Sequence, residues 1–298
     1  MLKSVLKNKY SKWIFLLLFI LGVCVSDYFL HDYYNIHGYR GEIAQDKKAG
    51  EYRIACFGGS TTYGFGVEEH EAWPAQLRTL LGEKYSVINL GANNQGIYGI
   101  ASDVHYYEDL DFDMAILYQG ETDRDPTKLR DYNFRGGDPL FFCFGYKPIL
   151  NFYFKELIRK LTPLDNKADK PVFKNNTTNA ALRAQINQHY RDADMISQAL
   201  MSKGEQPYKE YINKMDKVLQ NLSSKNIRTV VVCQPNAFNS VQQYCIRQLI
   251  DSKYLHKIEY LNLNDLFDDL NAASFDGMHL KKEGYLEVAK RMKFSLFN

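Results

Sequence analysis

Five short apolar runs, separated by longer stretches of helical periodicity, constrain this chain more than any other feature of its sequence. The runs cover residues 53–57, 86–90, 113–118, 228–234 and 259–263, and each is rich in Val, Ile, Leu or aromatic side chains. Runs so continuous suit strands buried on both faces, whereas a half-exposed strand would alternate apolar with polar residues. Between and after them, Trp73, Leu77, Leu80 and Leu81 recur at helical spacing, as do Ile212, Met215, Val218, Leu219 and Leu222. Tyr285, Val288, Ala289, Met292 and Leu296 repeat the pattern near the carboxyl end. Strands alternating with amphipathic helices predict a three-layer α/β/α sandwich around a five-stranded parallel sheet. With 45% hydrophobic residues in 298, the chain has enough apolar material to bury such a core.

The third and fourth runs lie further apart than one crossover helix requires, so residues 124–205 read as an insertion in a domain spanning 31–298. Its first half, around 139–154, is aromatic and apolar, and is expected to pack on the domain or to rim the site as a lid. Residues 162–179 read as a polar loop, and a helix is expected from 180 to 202. At the amino terminus, Lys3, Lys7, Lys9 and Lys12 precede an unbroken apolar run over residues 13–25. This is the pattern of an export signal, and residues 1–30 are expected to form a hydrophobic helix that acts as signal-anchor or signal peptide. The lysines then lie in the cytoplasm, the domain is extracytoplasmic, and the membrane is a partner through residues 13–30; cleavage would leave the domain secreted.

Composition excludes several classes. A net charge of +2 with scattered lysines offers no basic stripe for nucleic acid. The five cysteines, Cys24, Cys56, Cys143, Cys233 and Cys245, form no CxxC pair, and the histidines show no HExxH or comparable spacing. There is neither a GxxxxGK[ST] phosphate loop nor a GxGxxG followed by an acid. No metal and no cofactor are therefore expected.

The chemistry-bearing residues fall just after the predicted strands, at the carboxyl edge where such sheets bind ligands. The first strand runs into Gly58-Gly59-Ser60-Thr61-Thr62, where small residues allow a tight turn that presents a serine hydroxyl. The second runs into Asn89-Leu90-Gly91-Ala92-Asn93-Asn94, and the third into Gln119-Gly120-Glu121-Thr122-Asp123. Backbone N–H groups at such glycines, with a neighbouring polar side chain, are the material of an oxyanion hole. Near the carboxyl end, Asp276-Gly277-Met278-His279 immediately precedes the last predicted helix. A histidine able to take a proton from Ser60, with an aspartate to orient it, fits that loop.

These four blocks, in this order, resemble the SGNH (GDSL-like) hydrolase superfamily over about residues 53–292. Within residues 38–81, GYRGE, FGGSTTYGFGV and AWPAQL look like exported bacterial SGNH proteins of surface-polysaccharide pathways. The resemblance implies a flavodoxin-like sheet, Ser60 as nucleophile, His279 and Asp276 as its partners, and Gly91 as an oxyanion donor. Two positions depart from the pattern. Gly59 replaces the usual Asp of GDS, and Thr122 stands where the third block usually has Asn; Gln119, in a QGE[ST][DN]-like string, is the other candidate for that donor. The implied activity is removal of a small acyl group, most simply acetyl, from a surface or secreted carbohydrate. The alternatives are an O-acetyltransferase using the same residues and a catalytically silent polysaccharide-binding or scaffold module.

Overall fold

The five apolar runs form five parallel strands in the computed structural model of the chain. It describes residues 9–29, 34–119, 122–127, 129, 143–150, 180–235 and 240–298. By its internal contacts the chain divides into two units, Met1–Gly38 with Gly137–Pro171, and Tyr39–Gly136 with Val172–Asn298.

In the first unit, helix α1 (Lys9–Phe29) carries the apolar run, with Trp13, Phe15, Leu17 and Phe19 exposed. At about 1.5 Å per residue the run of residues 13–25 extends about 20 Å, short of a hydrocarbon layer of about 30 Å. Among the described residues no helix is long and apolar enough to cross a membrane. The buried Asp27 carboxylate near the end of α1 accepts the N–H groups of Ile149 and Leu150 and the Tyr146 hydroxyl, which fastens residues 146–150 to the helix. This is the described part of the aromatic stretch; the expected loop over 162–179 lies outside the described residues.

The second unit holds the sheet. Strand β1 (Tyr52–Gly58) leads into the short helix α2 (Ser60–Tyr63) and then α3 (Trp73–Leu81). Strand β2 (Tyr85–Asn89), helix α4 (Ile97–Tyr106) and strand β3 (Met114–Gln119) follow. Helix α5 (Ala180–Ser202) has the expected bounds, and α6 (Lys209–Ser224), β4 (Arg228–Cys233) and α7 (Ser240–Lys253) follow it. The unit ends with β5 (Ile258–Asn262), α8 (Leu270–Ala273) and α9 (Lys282–Phe297). The strand order is β2-β1-β3-β4-β5, all parallel.

The period of two along each strand explains the layers. Ile54, Cys56, Met114, Ile116, Val230 and Val232 point to one face, where they join Trp73 and Leu77 of α3 and Val288, Ala289 and Met292 of α9 in a single core. The intervening Ala55, Phe57, Ala115, Leu117 and Val231 are buried as well, so both faces are covered and continuous apolar runs are the sequence such strands require. From β1 the chain passes to β2 on one side, and β3 then lies on the other. This reversal leaves a crevice beyond the carboxyl ends of β1 and β3, the usual ligand position in an open α/β sheet.

Candidate active site

Ser60 stands at the mouth of that crevice because β1 ends at Gly58 and α2 begins two residues later. The turn is tight. A β-carbon on Gly58 would lie 2.1 Å from Thr62 Oγ1 and 2.7 Å from the Tyr118 carbonyl, so only glycine fits there. As the first residue of α2, Ser60 has an N–H without a partner inside its own helix. Its carbonyl accepts the N–H groups of Gly64 at 3.0 Å and Phe65 at 2.9 Å, and Gly64 closes the helix at φ +85°, a conformation natural to glycine.

His279 arrives from the opposite end of the sequence, on the loop between α8 and α9. An antiparallel bridge between Ser274 and Leu280 pinches the loop, and the Phe275 N–H donates to the His279 carbonyl at 2.9 Å. Asp276 Oδ1 accepts the N–H groups of Met278 at 3.0 Å and His279 at 2.8 Å, while Oδ2 lies 2.7 Å from His279 Nδ1. With the Nδ1 proton directed at that carboxylate, Nε2 is left as acceptor, 2.7 Å from Ser60 Oγ. The structure thus brings Ser60, His279 and Asp276 into one hydrogen-bonded series. Burial pushes the Asp276 carboxyl up, but the charge and ring N–H of His279 and the two backbone N–H groups outweigh it, and its pKa falls to about 2. The carboxylate is therefore ionised throughout the neutral range.

The other expected residues divide. Thr122 is at the site: a β-carbon on Gly59 would lie 2.9 Å from Thr122 Oγ1 and 3.0 Å from the Gln95 carbonyl, which sets the hydroxyl against the peptide leading into Ser60. The same crowding accounts for glycine where the related pattern has Asp. Gly91 packs closely against α2, the helix that begins at Ser60. Its N–H donates to Asn89 Oδ1 at 3.0 Å, and a β-carbon there would meet Tyr63 N at 2.3 Å. Gln119 ends β3, and its side chain lies outside the described residues. Asp123, next to Thr122, serves the fold. Its carboxylate accepts the Ile97 N–H at the start of α4, whose own N-cap, Gly96, has no side chain to do so.

Two neighbours of the triad went unread in the sequence. Phe65 packs tilted against the imidazole of His279, with ring centroids 4.6 Å apart and planes at 45°. Arg40 is buried, and its guanidinium donates to the carbonyls of Tyr63, Gly64 and Val67. Arg40 sits in a polar connector that lacks helical or strand periodicity, so the flanking glycines of GYRGE were its only signal.

No family model matches the chain, and no curated protein does either. Solved structures do resemble it. They include a psychrotrophic esterase from Pseudoalteromonas sp., 10% identical over 83% of this chain and 97% of that one, with a TM-score of 0.46. A carbohydrate acetylesterase from Sinorhizobium meliloti is 14% identical over 83% and 100%, at 0.45. An SGNH-hydrolase family esterase is 14% identical over 84% and 97%, at 0.41. At such identities and scores the chemistry has to be argued from the residues themselves.

Proposed function

We propose that the chain is a serine ester hydrolase of the SGNH type, acting on a small acyl ester of an extracytoplasmic carbohydrate. The observation that carries the reading is the series Asp276–His279–Ser60, with both connecting distances at 2.7 Å.

The Ser60 hydroxyl attacks the ester carbonyl carbon as its proton passes to His279 Nε2, forming the Oγ–C bond. Asp276 holds the ring in the tautomer that can accept that proton and stabilises the imidazolium that results. Negative charge collects on the former carbonyl oxygen, where the Ser60 N–H and the Thr122 hydroxyl are the nearest candidates to receive it. Gly91 packs against α2, and its N–H would join them only on release from Asn89. His279 then returns the proton to the departing alcohol oxygen as the C–O bond breaks. Water, activated by the same imidazole, hydrolyses the acyl-serine to a carboxylic acid and restores Ser60.

Small residues around Ser60 and the partial cover that Phe65 gives His279 support a short acyl chain. The lysine-flanked apolar run at the amino terminus supports export, and hence a substrate outside the cytoplasm. The test is release of acetate from an O-acetylated polysaccharide by the full-length protein and by Ser60→Ala, alongside fluorophosphonate labelling of both. Labelling and acetate release confined to the wild type are expected. Equal acetate release by the two proteins would remove Ser60 as nucleophile, and a wild type that resists the probe would remove the activated serine altogether.

A further inference from the structure

We infer that Arg40 is a positioning residue for the Ser60–His279 pair, holding the segment from Tyr63 to Val67 that joins the serine's helix to the ring against the imidazole. The inference rests on the esterase reading above and deepens it.

The guanidinium is nearly buried, at 8% exposure, yet three backbone carbonyls, not a carboxylate, receive its protons. Nη1 donates to Tyr63 and, at 2.7 Å, to Gly64; Nη2 donates to Val67 at 2.6 Å. The planar group also lies over the Tyr63 ring, 4.3 Å from its centroid. Desolvating a cation to satisfy carbonyls is a costly way to stabilise a fold, since an apolar side chain of similar volume does as well or better. The fork geometry is useful where several acceptors must be held in a fixed relation.

Those acceptors lie at the last residue of α2 and just beyond it. After α2 closes at Gly64, the N–H groups of Gly64 and Phe65 turn back to the Ser60 carbonyl, and the Phe65 ring lands on His279. A β-carbon on Gly66 would meet the Phe275 ring at 2.8 Å, so this segment also abuts the loop that carries Asp276 and His279. Arg40 has its own anchor. Its N–H donates to the Asn89 carbonyl at the end of β2 at 3.1 Å, and Asn89 Nδ2 reaches the Tyr63 carbonyl at 3.3 Å. Arg40 therefore ties the nucleophile's turn and the base's backing to one strand end. Loosening it should let Ser60 Oγ and His279 Nε2 drift apart.

The experiment compares full-length wild type, Arg40→Met, Arg40→Lys, Phe65→Ala and the Arg40→Met/Phe65→Ala double variant. It records kcat and KM on p-nitrophenyl acetate, the fluorophosphonate labelling rate of Ser60, and the urea midpoint of each protein. Arg40→Met is expected to lower kcat and the labelling rate by about 10- to 10²-fold with KM within about 2-fold, the size of effect that misplacing reacting groups produces. Arg40→Lys, which keeps the charge but not the fork, should fall between, and it carries the comparison if the methionine variant does not fold. The double variant should be no more than about 2-fold slower than Arg40→Met, because Phe65 already depends on Arg40 for its place. Losses that multiply in the double variant, a change confined to KM, or a kcat loss matched by the loss of folded protein would each overturn the inference while leaving the esterase reading intact. A wild type that fails to label would overturn both.

Discussion

Asp276 holds His279 by two separate atoms: Oδ2 meets the ring at Nδ1, 2.7 Å away, and Oδ1 accepts the backbone N–H of the same residue at 2.8 Å. Ring tautomer and loop conformation therefore depend on one carboxylate. Asp276→Asn keeps the shape, but its amide can present an N–H to Nδ1 and leave the proton on Nε2, where it blocks acceptance from Ser60. Loss of about 10³- to 10⁴-fold in kcat is expected, with KM little changed. Steady-state kinetics on p-nitrophenyl acetate give the answer, and a loss below about 10-fold would show that the aspartate does not set the tautomer.

The same carboxylate makes stability depend on acid. Its pKa of about 2 in the folded chain lies below the ~3.9 of an unfolded aspartate. A depressed carboxylate stabilises the fold fully above about pH 4, and the contribution is lost as pH falls toward 2. The difference corresponds to roughly 2.5 kcal/mol, about half of it gone by pH 3. Urea unfolding of wild type and Asp276→Asn should show their stabilities converging from pH 5 to pH 3; a constant gap over that range contradicts the assignment.

The sheet and the grouping of Ser60, His279 and Asp276 were legible in the sequence for different reasons. A parallel strand buried on both faces has to be apolar throughout, so β1 and β4 stand out to within a residue or two. Ser60, Asp276 and His279 follow strand or loop positions that glycines and short spacing mark. What escaped is held by partners distant in the chain. Helix α4 starts at Ile97 without a local side-chain cap because Asp123 supplies it from beyond β3. Helix α7 does present Val241, Ile246, Leu249 and Ile250, all buried, but Gln242, Gln243 and Gln248 dilute the pattern. The contact of the Gly91 N–H with Asn89 Oδ1 at 3.0 Å is likewise announced by nothing in the order of residues.

That arrangement gives Gly91→Ala a diagnostic value. Alanine keeps the N–H, so a residue that acts only as a donor would tolerate the change. A residue that supports the Ser60 turn would not, because the added carbon meets Tyr63 N at 2.3 Å and the Thr62 carbonyl carbon at 2.7 Å, both backbone atoms of α2. Destabilisation of about 1–3 kcal/mol is expected, together with slower fluorophosphonate labelling of Ser60. Urea unfolding and labelling kinetics measure the two, and wild-type values in both would show that the close approach of Gly91 to α2 does not hold the Ser60 turn.

Thr122 brings a side-chain hydroxyl to the turn before Ser60. Its hydroxyl would lie 2.9 Å from a β-carbon on Gly59, beside the peptide whose N–H belongs to Ser60, so one small oxygen could receive both. Thr122→Val removes the hydroxyl at nearly constant volume and leaves Asp123 to hold α4. If the hydroxyl stabilises the developing charge, kcat drops by about 10²- to 10³-fold while KM stays close to wild type, since the interaction strengthens only in the transition state. Thr122→Ser should recover most of that loss, because it restores the donor without the methyl group. Valine activity within about 2-fold of wild type would rule the hydroxyl out and turn attention to Gln119 at the end of β3, whose amide is the other candidate that the sequence offers.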